Sequence, residues 1–163
     1  MADVNKSIRV NVKGLQQILR ALGDKYVIRV GIMGSKSTRK NGKSGLTNAE
    51  IGFINEFGAQ TKNIPPRSFL GMPLRLYLSD FLKGKKAFSK KAVEQAVKDG
   101  KLLQLAKLAG ATAEEVIQKA FETSGFGQWQ GNSEYTKRKK KSDKPLIDTG
   151  ELRRSITSEV KKR

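Results

Sequence analysis

The sequence predicts one α+β domain over residues 1–163, with a small, mostly antiparallel sheet and helices packed on one face of that sheet. Two short segments, 7–12 and 25–33, have the composition and spacing of strands. A longer stretch, 101–122, has apolar residues at helical spacing. A chain of 163 residues is long enough to bury one moderate core.

The N-terminal part predicts a strand, a helix and a second strand, in that order. Alternating apolar residues predict that one face of the first strand, 7–12, is buried. A helical stretch opens at Gly14 and ends at Gly23. The second strand follows over 25–33, and a compact connection would place the two strands next to each other in one sheet.

A capping box marks the start of the next predicted helix. Thr47 and Glu50 have the spacing at which a hydroxyl and a carboxylate each satisfy a free amide of the first turn. We expect this helix to end at Gly58, which can take the left-handed conformation. The segment Ile64–Arg67 contains two prolines, so we expect it to be extended.

Three further helical segments are predicted. The first starts near Ser68 and runs to about Lys83, with Pro73 as a kink or a restart. The second spans 86–98, and the third and longest spans 101–122. The apolar residues of the longest segment form one stripe, which we expect to be core: Leu102, Leu105, Ala106, Ala109, Ala113, Val116, Ile117 and Ala120.

The C-terminal part predicts a turn at Asp148–Gly150 and a last strand over 155–160. We expect the turn to cap a short helix whose Leu152 and Ile156 face inward. A phosphate site made by the backbone amides of the turn is the alternative. Because Asp148 would repel an anion at that place, the cap is the favoured interpretation.

Charge is the strongest compositional feature, with 33 basic residues, 15 acidic residues and a formal net charge of +18. The middle of the chain, 47–123, is nearly balanced, whereas both ends are strongly basic. Two segments, 34–46 and 124–145, are predicted to be flexible basic loops. Such a charge favours contact with DNA, RNA or another polyanion. The lysine-rich solvated faces of an ordinary soluble protein are the alternative.

The second of these loops contains an unbroken basic run. Its members are candidates for phosphate contacts, and they are Lys137, Arg138, Lys139, Lys140 and Lys141. A solvated tether is the other interpretation of such a run.

The composition argues against catalysis. The chain has no cysteine and no histidine, which excludes disulfides, thiolate metal sites and the commonest general base. Its acidic residues are not grouped as in a cation site. We therefore predict no enzymatic activity, no catalytic residue, no cofactor and no metal site. The sequence has neither a signal-peptide pattern nor an apolar run near the roughly 20 residues of a membrane span, so we expect synthesis in the cytoplasm and no membrane contact.

Three segments carry a resemblance to a known family: Asn55–Gly58, Ile64–Leu70 and Leu146–Ile156. In this order they resemble the N-E-F/Y-G, I-P-x-R-x-F and L-I-D-T-G-x-L-x-x-S-I elements of small tailed-bacteriophage morphogenesis proteins. That family includes tail-completion, head–tail joining and minor tail proteins. Lys144-Pro145 and the lone Trp129 also fit, and the resemblance covers about residues 25–160.

The resemblance implies a structural virion protein that acts in tail completion or head–tail joining, as part of a neck or tail-terminus ring. It implies a closed homo-oligomeric ring, with sixfold symmetry favoured, and other phage neck and tail proteins as partners. The protein would be made in the host cytoplasm and located in the virion, where its basic loops would meet packaged DNA without sequence specificity. The candidate interface residues are Asn55, Glu56, Arg67, Phe69, Trp129, Arg153 and Arg154.

The same residues have a physical interpretation of their own. Phe57 and Phe69 flank the two prolines, so we expect them to anchor the extended segment to the core. We expect Arg67 at an exposed turn, where its guanidinium grips Glu56 or an acidic residue of a neighbouring subunit. We expect Trp129 to be buried, because a single aromatic ring is a poor platform for stacking bases.

A basic nucleic-acid-binding protein of the ribosomal or chromosomal kind is the alternative function. That function explains the net positive charge without requiring that the protein be part of a virion. The sequence, however, lacks a recognition helix with clustered arginine and asparagine, an aromatic platform and a zinc site. The assembly function is therefore the favoured hypothesis.

Overall fold

The computed structural model describes residue 20 and residues 22–38, 45–140 and 143–163. Within them the chain forms two strands and six α-helices, which confirms the predicted α+β class. The strands are β1 (Tyr26–Ile32) and β2 (Ile156–Lys162). The helices are α1 (Asn48–Phe57), α2 (Gly71–Lys83), α3 (Lys90–Lys98), α4 (Leu102–Glu122), α5 (Glu134–Lys140) and α6 (Glu151–Arg154).

The two strands pair antiparallel, so segments from opposite ends of the described chain lie side by side. Tyr26 pairs with Lys162, and Ile32 pairs with Ile156. Both strands that the sequence predicts in these regions are confirmed to within one or two residues. The predicted strand at 7–12 lies outside the described residues, as do most of the helix predicted from Gly14 and part of the basic loop at 34–46.

Helix α4 is the centre of the fold and packs on both strands and on α2. All residues of its predicted apolar stripe are buried, which confirms that the stripe is core. Gly110 allows a close approach to the sheet, because a Cβ there would lie 2.8 Å from the Oγ of Ser158. One turn further along, Glu114 accepts the backbone N–H of Ser158 at 2.6 Å. The helix is therefore joined to β2 by a hydrogen bond as well as by packing.

The core consists of two clusters along α4. The first contains Leu22, Leu82, Phe88, Val93, Leu102, Leu105, Ala106 and Ala109. The second contains Phe69, Ile117, Ala120, Phe121, Trp129, Leu146, Leu152 and Ile156. The second cluster draws on two of the segments that carry the family resemblance and on the loop of Trp129, so the candidate site lies beside the C-terminal half of α4.

Helix α1 begins with the predicted capping box. The Thr47 hydroxyl accepts the Glu50 N–H at 3.2 Å, and the Glu50 carboxylate accepts the Thr47 N–H at 2.8 Å. The hydrogen bonds that the carboxylate accepts from the Thr47 N–H and from the Thr47 hydroxyl lower the pKa of Glu50. The left-handed conformation predicted for Gly58 is wrong in detail, because its φ of 78° is combined with an extended ψ of 175°. A Cβ at Gly58 would lie 2.8 Å from the carbonyl oxygen of Ile64, so only glycine lets the chain turn back here.

Helix α2 begins at Gly71, three residues later than the sequence predicts. Pro73 is the third residue of the helix, where the backbone N–H would have no intrahelical partner in any case. The proline therefore causes neither the kink nor the restart that we considered, and the helix continues to Lys83.

The segment predicted as one helix over 86–98 is divided in two. A 3₁₀ turn over Lys86–Phe88 precedes α3, and Ser89 separates them. The Ser89 hydroxyl accepts the N–H of Ala92 at 3.4 Å, so this residue is the N-cap of α3. The predicted end at Asp99-Gly100 is confirmed.

The prediction that 124–145 is irregular throughout is wrong, because Glu134–Lys140 forms α5. Ser133 provides the start signal: its hydroxyl accepts the N–H of Thr136 at 3.3 Å, and its carbonyl accepts the N–H of Lys137 at 2.9 Å. The other predicted loop also begins with regular structure, a 3₁₀ turn over Gly34–Ser37. The flexibility of both loops stays a prediction.

Candidate functional site

The three segments of the family resemblance meet at one side of the molecule. The end of α1, the extended segment 64–70 and the segment 146–156 all contribute to one region, which the loop around Trp129 completes. Most of the contacts join residues that are far apart in sequence. The region is therefore assembled by the fold, with the C-terminal half of α4 as its support.

Glu56 binds the start of α2. Its carboxylate accepts the backbone N–H groups of Phe69, Leu70 and Gly71 at 2.8–2.9 Å, and it also accepts the Ser68 hydroxyl at 2.6 Å. These amides lie at the N-terminus of α2 and just before it, where a helix has no partners of its own for its N–H groups. The negative charge also suits the positive end of the helix dipole. Glu56 thus acts as a cap supplied from another helix.

Arg67 is buried, which corrects the expectation that it lies at an exposed turn. Its Nε donates to the carbonyl oxygen of Gln130 at 2.8 Å, and its Nη2 donates to that of Gly131 at 2.9 Å. Its own backbone N–H donates to the Asn55 carbonyl at 2.7 Å. The expected pairing with Glu56 is wrong, because that carboxylate is occupied by the start of α2. Burial lowers the pKa of Arg67.

Trp129 is buried, as predicted. Its indole N–H donates to the Ser68 carbonyl at 3.1 Å, and its ring meets Phe121 edge-on with 5.8 Å between the centroids. Phe121 in turn lies 5.3 Å from the ring of Phe69, which is fully buried. Gly125 passes so close to the indole that a Cβ there would lie 2.3 Å from the ring. The three aromatic rings form the packed base of the region.

The expectation that two phenylalanines anchor the extended segment to the core is confirmed for Phe69, which is fully buried, and wrong for Phe57. Its side chain is 67% exposed, and it lies beside Phe53, which is 66% exposed, with 4.9 Å between the ring centroids. The inward face of α1 carries Asn48 and Gly52 instead. A Cβ at Gly52 would lie 2.7 Å from Ile32, so the helix packs too closely for a large side chain on that face. The glycine at position 52, inside the predicted helix, was the sequence signal for this orientation.

The C-terminal segment binds α4 through Arg153. Its Nε donates to the Gln118 side chain at 2.5 Å, and its Nη2 forms an ion pair of 2.7 Å with Glu122. The hydrogen bond from Arg153 lowers the pKa of Glu122. Arg154 is exposed. Among the candidate interface residues, Arg154 is the most exposed and Arg153 is partly exposed, and the interface role of the whole set stays a prediction.

The N-terminus of α6 is capped differently from the prediction. The residue before the helix is Gly150, which has a φ of 75°, and its neighbour Thr149 accepts the Glu151 N–H at 3.4 Å. Asp148 therefore does not cap the helix from the N-cap position. Leu152 and Ile156 are buried, as predicted.

A cleft of about 660 Å³ opens between these segments. Its walls come from the end of α1, the extended segment, the start of α5 and the turn before α6. Its charged lining residues are Lys62, Arg67, Lys140, Asp148 and Glu151, and its apolar lining residues include Ile51, Ile64, Leu146 and Leu152. The cleft thus combines a hydrophobic wall with a few charged groups, which is the composition of a binding site for a small or extended partner.

Four of the five members of the basic run lie on α5, and Lys141 is outside the described residues. Lys137 pairs with Glu134 at 2.7 Å, and this ion pair raises the pKa of Lys137. The Lys139 ammonium lies 6.0 Å from the centre of the Tyr135 ring. Lys140 lines the cleft, where burial above all lowers its pKa. The run is therefore divided between an exposed helix face and the cleft.

Sequence reasoning missed several parts of this region. It did not identify the carbonyl groups of Gln130 and Gly131 as partners of Arg67, and it did not separate Lys140 from its neighbours. It also did not identify the exposed pair of Phe53 and Phe57. Within the described ranges, the acidic residues form no group that could hold a metal ion, and no helix is both long and apolar enough to cross a membrane.

Comparison with protein-family models, with curated proteins and with solved structures finds no significant match for this chain.

Proposed function

We propose that this chain is a structural protein of a tailed-bacteriophage virion that acts in tail completion or head–tail joining. The observation that carries the proposal is the meeting of the three resembling segments at one side of the molecule, two of them in one core cluster and the first through the hydrogen bonds of Glu56. Each segment holds the next: Glu56 caps the helix that follows Phe69, and Leu152 packs in the same cluster as Phe69. The resembling residues thus contact one another in this chain, and the proposal rests on that proximity together with the sequence resemblance.

The roles of these residues suit a protein that acts by geometry. Several side chains of this region form hydrogen bonds that hold backbone segments in place. These side chains are Glu56, Arg67 and Trp129. Such a framework presents its outer faces to partners in a fixed arrangement. The proposal includes no chemical step and needs no cofactor or metal.

The exposed faces support contacts with other proteins. Phe53 and Phe57 form an adjacent pair of exposed aromatic rings on α1, and they border a shallow apolar groove that includes Leu70. Adjacent exposed apolar side chains are typical of protein–protein contacts. We propose that copies of the chain assemble into a closed ring, with sixfold symmetry favoured by the family resemblance, and that neck and tail proteins are its partners in the virion.

Nucleic-acid binding is the second candidate function. It is favoured by the net charge of +18 and by the exposed face of α5, where Arg138 and Lys139 lie. The two candidates differ in their response to salt. A nucleic-acid-binding protein should lose affinity for duplex DNA steeply as salt rises, because phosphate contacts release counterions. Within a virion, weak and non-specific DNA contact would accompany the joining function.

Complementation in vitro tests the proposal. A phage whose copy of this reading frame is deleted provides a lysate, and the purified chain is added to it. A joining protein should restore infectious particles in proportion to the amount added. A variant with Phe53→Glu should restore fewer, whereas Leu103→Glu, which changes an exposed leucine of α4, should match the original chain. No gain in infectious particles with the original chain would contradict the proposal.

A further inference from the structure

The buried charge of Arg67 is only partly compensated within the chain. Two carbonyl oxygens accept hydrogen bonds from it, and they use two of the five N–H groups of the guanidinium. Among the described residues, no carboxylate forms an ion pair with it. A buried cation without a countercharge is costly, and it is usually paired in the state in which the protein works.

This guanidinium lies in the lining of the cleft. Its Nη1 donates no hydrogen bond to any of the described residues, whereas Nε and Nη2 hold the two carbonyls. Those two hydrogen bonds fix the plane of the guanidinium. Their acceptor carbonyls belong to Gln130 and Gly131, the two residues that follow the buried Trp129. The group is thus oriented in advance, which lowers the entropic cost of binding an anion.

Lys140 brings a second cation to the same cleft from α5. It is partly buried, and burial lowers its pKa more than any other cause. All three of Arg67, Lys140 and Asp148 line this cleft, and Asp148 raises the pKa of Lys140 while Arg67 lowers it. The charged lining of the cleft therefore includes these two cations, together with Lys62, Asp148 and Glu151.

We propose that this cleft binds the side-chain carboxylate of an acidic segment of a partner protein, with Arg67 and Lys140 as the groups that hold it. The proposal deepens the function proposed above and rests on it for the identity of the partner as a neck or tail protein. Guanidinium groups suit carboxylates because two planar groups can share two parallel hydrogen bonds.

The lining favours a carboxylate on a peptide over the phosphate of a nucleic acid. Asp148 and Glu151 also line the cleft and oppose any anion. A phosphodiester of a nucleic acid carries one negative charge, as a carboxylate does, so the choice between the two rests on the apolar wall. The wall formed by Ile64, Leu146 and Leu152 suits apolar side chains next to the acid. A sugar–phosphate strand would leave that wall without a partner. An extended peptide with an acid between apolar residues satisfies both parts of the cleft.

The test uses the full chain labelled with ¹⁵N and a tripeptide probe, blocked at both ends, in which a glutamate lies between two leucines. Binding should move the amide signals of Gln130 and Gly131, the Nε–H signal of Arg67 and the indole signal of Trp129, in a saturable way. The matched probe has glutamine in place of glutamate, and it should bind at least about tenfold more weakly. Inorganic phosphate and a short duplex DNA are titrated in parallel.

Two variants distinguish binding in the cleft from a general effect of positive charge on the surface. Lys140→Gln should weaken binding of the glutamate probe by about tenfold. Lys139→Gln removes the same charge from the exposed face of the same helix and should leave binding unchanged. Neither residue belongs to a core cluster, so both variants should fold.

The results that would overturn the inference are distinct from those that test the joining function. Equal binding of the glutamate and glutamine probes would overturn it, as would the absence of binding. Phosphate or DNA that moves the same signals more strongly than the peptide would overturn the choice of a carboxylate. None of these results depends on phage assembly, whereas failure of complementation by a chain that binds the peptide would contradict the proposed function alone.

Discussion

The Nε of Arg67 donates a hydrogen bond of 2.8 Å to the carbonyl oxygen of Gln130, which follows 63 residues later in the chain. The next carbonyl, that of Gly131, accepts the Nη2 of the same side chain at 2.9 Å. One arginine therefore joins the extended segment after α1 to the loop after α4. Both partners lie next to the aromatic base of the region, so this link holds the candidate site together.

Replacing Arg67 with alanine should lower the free energy of unfolding by about 3 kcal/mol, because two charged hydrogen bonds to the loop after α4 and the packing of a buried side chain are lost. Unfolding in urea, followed by the fluorescence of the single tryptophan, measures the change. Arg154→Ala is the control, since Arg154 is exposed, and it should change the free energy by less than about 0.5 kcal/mol. Equal effects of the two substitutions would contradict a structural role for Arg67.

Gly125→Ala should destabilise the chain more than Gly127→Ala. Both glycines have positive φ angles, 69° and 79°, so both substitutions strain the backbone by a similar amount. Only at Gly125 would the new Cβ meet the ring of Trp129, at 2.3 Å; at Gly127 it would meet nothing within 4 Å. The difference in unfolding free energy between the two variants measures the packing of the indole. If Gly127→Ala lowers the unfolding free energy as much as Gly125→Ala does, the close contact between Gly125 and the Trp129 ring is contradicted.

Replacing Arg153 with glutamine should raise the pKa of Glu122 towards its ordinary value. The hydrogen bond from Arg153 is the largest cause of the lowered pKa, and Lys119 contributes less. NMR titration of the carboxyl group measures the change, with Lys119→Gln as a control that should produce a smaller rise.

The sign of the linked effect on stability follows from the direction of this shift. A carboxyl group with a lowered pKa in the folded state stabilises the fold at pH values above its unfolded pKa. That contribution is lost as the pH falls through the folded pKa. In Arg153→Gln, stability should therefore fall less on acidification than in the original chain, and an unchanged acid dependence would contradict the ion pair.

Alanine at all five positions of the basic run, 137–141, should weaken docking to an acidic partner or to DNA and leave the fold intact. The ion pair of Lys137 with Glu134 is solvent-exposed, and such pairs contribute about 0–1 kcal/mol. Thermal unfolding and salt-dependent DNA binding are the two measurements. A control with the same loss of charge replaces Lys86, Lys90, Lys91, Lys98 and Lys107. A large drop in thermal stability of the 137–141 variant alone would refute the tether interpretation.

Local patterns predicted much of the fold. The capping box of Thr47 and Glu50 and the apolar stripe of α4 each depend on residues within a few turns of one another. The start of α5 was missed although Ser133 could have indicated it, because the charges that follow suggested a solvated loop. The orientation of α1 was not predicted, because Phe57 was expected on the inward face and Gly52 was not considered.

The candidate site was harder to predict, because its contacts join distant segments. A sequence shows that Arg67 can bind a carboxylate or a carbonyl, but the choice depends on which groups the fold brings near. Glu56 was the nearest acid in sequence, yet the amides at the start of α2 occupy it. The tertiary structure therefore decides which of two reasonable partners each charged group obtains.

Electron microscopy of a lysate from the phage with this reading frame deleted tests the central claim most directly. The account predicts DNA-filled heads beside separate, finished tails, and joined particles once the chain is supplied from a plasmid. Normal infectious particles in the deletion lysate would contradict the joining function, and the net charge of +18 would then favour a nucleic-acid partner.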